Sequence, residues 1–117
     1  ALDWIEQAIW LYDRDAQHLY ENILSEENEG EQIAMAKNTP NLHHIAGALY
    51  RLSEIYERFE GVDKDWLEKA IKSAKKCEVL WQIIVDATDD VEMKAKYQKN
   101  LEATREYIRS LESKQKS

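Results

Sequence analysis

Asp15 and His18 stand three residues apart, so on a helix their side chains share a face. An acid followed by histidine at that step is the unit that carboxylate-bridged two-metal bundles use twice, with further glutamates projecting into the core. The other histidines, His43 and His44, have no acid three residues before them. Asp15 and His18 are therefore half of a metal site, or more plainly a surface ion pair or hydrogen bond. His43 has Gly47 four residues on. By position alone, His43 and His44 flank an apolar seam where a helix begins. Nucleophilic catalysis finds no support, because Cys77, the single cysteine, falls on an apolar helix face where a thiol is inert. There is no glycine-rich phosphate loop and no cysteine pair for zinc. No cofactor or metal is expected, and the chain reads as a non-enzyme.

Other residue types suit contact better than chemistry. Lys69, Lys72 and Lys76 share one helix face with Lys75 beside them. That ridge either receives an acidic segment of a partner or faces the acidic N-terminal part of the chain. Four tryptophans (Trp4, Trp10, Trp66, Trp81) and six tyrosines stand against one phenylalanine. Trp and Tyr carry a polar atom and suit half-buried sites and interfaces. Trp4 and Trp10 lie six apart, so a narrow stripe does not hold both squarely. Either Trp10 faces a partner or a second copy of the chain, or the first helix is central enough to bury both.

The elements that position these residues are helices. Three glycines and one proline punctuate 117 residues, and the stretches between them run at helical period. A first helix starts at Asp3, with Glu6 at capping-box spacing, and carries Ile5, Ala8, Ile9, Tyr12, Ala16, Leu19 and Ile23 as far as the polar run 25–30. A short helix covers Glu31 to Lys37. Thr39 is then expected to cap the second long helix, with Pro40 at its first position. That helix carries Leu42, Ile45, Leu49, Leu52, Tyr56 and Phe59, and Gly61 marks its end. Asp63 or Asp65 is expected to cap the third, Asp65 having Glu68 at capping-box spacing, and that helix carries Leu67, Ala70, Ile71, Ala74, Cys77, Trp81, Ile84 and Val85. Thr88-Asp89-Asp90 separates it from the fourth, which uses Met93, Tyr97, Leu101, Thr104, Ile108 and Leu111. Lys114 to Ser117 reads as a frayed tail. Short links between the later helices force antiparallel neighbours.

Charge narrows the partners. Residues 1–31 hold nine acids against one base, while residues 32–117 hold fourteen acids against fifteen bases. The net charge of −7 therefore belongs to the N-terminal part. Nucleic acid and anionic membrane surfaces are disfavoured, because both require a basic face. One cysteine fits a reducing compartment, no apolar run spans a bilayer, and no signal peptide is read, so a cytoplasmic chain is expected. It begins at Ala1, which reads as a processed chain or a piece of a longer one.

Residues 46–77 resemble a tetratricopeptide-type helical hairpin. Ala46, Leu49, Leu52 and Tyr56 match its first helix, and Ala70, Ala74 and Cys77 match the small-residue spacing of its second. Ser53 stands where the family has glycine. The resemblance implies a stack in which Gly47, Tyr50, Glu54, Glu57 and Arg58 line a concave side that receives an extended or helical segment. The run His43 to Ala48 also resembles the phosphoacceptor helix of histidine phosphotransfer domains, with Ala46 at the position of that family's lysine. The expectation is one all-α domain over 1–117, an antiparallel four-helix bundle or tetratricopeptide-like stack with one additional short helix. Its expected function is non-catalytic protein–protein contact through Tyr50, Glu54, Arg58, Trp10, Lys72 and Lys76. Histidine phosphotransfer through His43 and a metal-binding bundle are the alternatives, and the aromatic first helix is the candidate for homo-oligomer formation.

Overall fold

Leu42, Ile45, Leu49, Leu52 and Tyr56 recur at three- and four-residue steps, and each is at most 3% exposed. They form the buried stripe of a helix, and five other helices close against it or its neighbours. The structure is a computed structural model describing residues 3–12, 14–24, 29–39, 41–62 and 64–116, without the side chains of residues 3–5, 12, 15, 16, 23, 24 and 29. The helices are α1 (Asp3–Tyr12), α2 (Arg14–Leu24), α3 (Glu29–Lys37), α4 (Leu42–Glu57), α5 (Trp66–Ala87) and α6 (Val91–Lys116). Among the described residues there is no strand. The chain is an all-α assembly.

α4 and α5 form the central antiparallel hairpin. Small side chains let their backbones approach: Ala46, Ala70 and Ala74 have no exposed surface. Two serines fasten the pair reciprocally. Ser53 Oγ on α4 donates to the Ala70 carbonyl at 2.6 Å, and Ser73 Oγ on α5 donates to the Leu49 carbonyl at 2.7 Å. α6 runs antiparallel to α5 on one side of this hairpin. Arg105 bonds Glu78 and Gln82, and the Tyr97 and Trp81 rings stand 5.7 Å apart. α1 packs on α4, α3 packs on α5, and α2 packs on α3. Trp10 and Leu19 join Leu42, Leu49, Leu80, Ile83 and Leu101 in the larger core cluster. Leu52, Tyr56, Ala70, Ile71, Ile108 and Leu111 make the smaller one, and Ile9 touches both.

Several local expectations change. The expected first helix is described as α1 and α2, and residue 13 between them lies outside the described residues. The Trp10 and Tyr20 rings stand 5.5 Å apart. On one straight helix residues ten apart are separated by about 15 Å along the axis, so α1 and α2 are inclined to each other. Thr39 does not cap α4. Its hydroxyl donates back to the Met35 carbonyl at 2.7 Å, and Asn41 takes the N-cap position. Thr88 does the same to Ile84 at the end of α5. Asp65 sits at the N-cap of α5 without a capping hydrogen bond from its side chain. Asp90 does cap α6, accepting from the Met93 backbone N–H at 3.0 Å. The expected tail is helical to Lys116, because Lys114 pairs with Glu57 at 3.5 Å and basic residues suit a helix C-terminus. The capping role expected of Asp3, and Pro40 at the start of α4, lie outside the described side chains and residues.

Candidate functional site

Two antiparallel pairs, α4 with α5 and α5 with α6, leave α4 and α6 parallel and side by side on α5. Their backbones make few close approaches. A groove of about 500 Å³ lies between them, lined by Gly47, Tyr50, Arg51, Glu54, Trp81, Asn100, Ala103 and Thr104. Helical register explains this set. Gly47, Tyr50, Arg51 and Glu54 are three and four residues apart on α4, as are Asn100, Ala103 and Thr104 on α6. Trp81 on α5 forms part of the floor. Gly47 widens the groove, since a Cβ placed there meets nothing within 4 Å.

Aromatic and polar groups close one end. The Tyr50 and Tyr107 rings stand 4.8 Å apart. The Tyr107 hydroxyl donates to Glu57 Oε1, and Lys114 Nζ stands 3.5 Å from Glu57 Oε2. Ser53 Oγ lies 3.2 Å from the Tyr107 oxygen, to which it is the alternative donor. Burial, and then the bond to Glu57, push the Tyr107 phenol well above the usual tyrosine range. Burial and then the nearby Glu54 raise Tyr50. Both phenols are neutral donors at physiological pH. This wall offers apolar ring surface and hydrogen-bonding groups.

The residues singled out from sequence scatter more widely. Tyr50 and Glu54 line the groove. Arg58 shares their helix face but lies beyond the groove, as the C-cap of α4. Trp10 is a core residue, 8% exposed, with its indole N–H directed at Glu6. It is not open to a partner, because α1 packs inward on α4. Lys76 also turns inward to an ion pair with Glu6. Lys75 reaches the opposite side, 3.7 Å from Glu112 on α6. The lysine ridge is thus divided between α1 and α6, since adjacent helix positions point 100° apart. Lys72 is exposed beside a cleft that also holds Tyr56, Asp65, Glu68 and Lys69.

His43 and His44 stack with ring centroids 4.0 Å apart. His43 is half-buried in a pocket of about 300 Å³ shared with Lys37, Thr39, Asp89 and Tyr97, while His44 is exposed. Lys37 Nζ stands 3.2 Å from Asp89 Oδ2 across this pocket. His18 is exposed, with Nδ1 3.9 Å from Glu21 Oε2, and the Asp15 side chain lies outside those described. Among the described residues, no three His, Cys, Asp or Glu side chains are grouped to hold a metal ion. No helix among them is long and apolar enough to cross a membrane.

Comparison with protein-family models, with curated proteins and with solved structures finds no match to this chain. The site is read from its chemistry. Sequence reasoning missed Arg51, Trp81, Asn100, Ala103 and Thr104. The signal for the α6 residues was its short polar and small positions, 100, 103 and 104, on one face. Their relevance needed α6 to lie parallel to α4, which no local pattern states.

Proposed function

We propose that this domain works by non-catalytic contact, seating a segment of a protein partner in the α4–α6 groove. The observation that carries this reading is the open groove itself, floored by Trp81, walled by Tyr50 and edged by Arg51, Glu54 and Asn100. Half-buried aromatic residues beside polar rims are the composition of contact sites. The tetratricopeptide-like reading of residues 46–77 fits this arrangement, with α4 and α6 as successive first helices around α5. Gly47→Trp tests it, because the new side chain enters open space and fills the groove. Partner capture is expected to fall at least ten-fold, while Val62→Trp, on a remote and highly exposed turn, leaves capture unchanged. Equal capture by both variants refutes the reading.

A second reading, phosphotransfer through His43, draws on the amine of Lys37 in the same pocket. It requires an acid-labile phosphoryl group on the chain after incubation with acetyl phosphate, lost in His43→Gln. No label on the unsubstituted chain removes it.

A further inference from the structure

α6 is fixed to α5 by apolar packing, with Leu101, Thr104, Ile108 and Leu111 all buried. α4 is fixed to α5 by its own stripe and the two serines. Beneath the groove α4 and α6 share both core clusters, through Leu49 with Leu101 and through Leu52 and Tyr56 with Ile108 and Leu111. Their backbones seldom come close, and at the Glu57 end the groove between them is bridged by side chains. Tyr107 is the centre of that bridge. Its ring leans on Tyr50, its hydroxyl reaches Glu57 and Ser53, and Lys114 holds the second oxygen of Glu57.

We propose that the Tyr107 hydroxyl is a latch that sets the width of the α4–α6 groove. With the phenol donating to Glu57, the two helices are held at one separation and the groove has one shape. With that bond broken, α6 keeps its seat on α5 and in the shared core, and at the rim its distance from α4 is set by ring contact and a half-exposed ion pair. Exposed ion pairs contribute little, so the unlatched groove samples wider forms. Tyr50 couples the latch to the groove, because the ring that lines the groove wall is the one stacked on Tyr107. A segment that presses on Tyr50 therefore acts on the latch.

The test uses the whole chain and needs no partner, so its failure leaves the docking reading standing, and failure of docking leaves the latch standing. Arg58→Cys and Glu102→Cys, both exposed and outside the groove lining, carry nitroxide labels. Buried Cys77 stays unlabelled. Pulsed electron–electron distance measurement is expected to give one narrow population. Tyr107→Phe keeps the ring and loses the hydroxyl, and a second, longer population is expected. Backbone amides near the end of α4 then exchange about five- to ten-fold faster, the effect of one lost hydrogen bond. Glu57→Gln, whose amide oxygen still accepts from the phenol, keeps the single population. One unchanged population in Tyr107→Phe overturns the latch, as does a second population in Glu57→Gln. Circular dichroism establishes that each variant is folded before labelling.

Discussion

The Cys77 thiol has no exposed surface and stands 3.9 Å from the Thr104 hydroxyl. Burial, the largest cause, pushes it up from 9.0 to about 12. Below pH 9 both folded and unfolded chains hold this proton. Above it the unfolded chain loses the proton first, so stability falls as pH rises toward 12, by at most about 4 kcal/mol. Tyr107 and Tyr50 are raised in the same direction and add to the loss above pH 10. Thermal melts from pH 8 to 11 are expected to show a falling midpoint, and Cys77→Ala a shallower fall. A thiol reagent at pH 8 is expected to react only after unfolding. Two glycines predict opposite signs. Gly47→Ala adds a methyl into open space within a helix and is expected to stabilise by about 0.5–1 kcal/mol. Gly61→Ala forces φ of +86° on an L side chain and is expected to destabilise by about 1 kcal/mol. Denaturant unfolding measures both.

At the scale of elements, the α4–α5 hairpin is the support on which everything else rests. Leu49 has no exposed surface and belongs to the larger core cluster, so Leu49→Ala is expected to lose about 2–5 kcal/mol in denaturant unfolding. Asp90→Ala removes the side-chain cap of α6 and is expected to cost about 1 kcal/mol, with faster amide exchange confined to its first turn. Lys37→Ala breaks an exposed ion pair with Asp89 and is expected to change stability by less than about 0.5 kcal/mol. The buried stripes of α4, α5 and α6 were legible because each obeys one period over many residues. The inclination of α2 to α1 was not. Apolar residues continue at helical spacing from one to the other, and periodicity within a segment carries no information about the angle at which two segments meet.

At the scale of the molecule, α6 is 26 residues long and about 39 Å in length, close to the 43 Å long dimension. It forms one full edge of the body, and the groove against α4 follows its direction. Acidic α1 meets the lysines of α5 through the Glu6–Lys76 pair. The charge asymmetry visible along the sequence is therefore partly used within the fold. The sequence by itself determined that the chain is helical, where most helices lie and which stripes are buried, because spacing and the demand to hide apolar surface act locally. Half of the groove was legible too, in Tyr50 and Glu54 on one face of α4. Only the tertiary structure decided that Trp10 and Lys76 turn inward, that α6 supplies the opposite wall, and that Tyr107 spans the gap. Those outcomes depend on which helix lies beside which, a matter of long-range packing among several apolar faces that no single stretch of residues encodes.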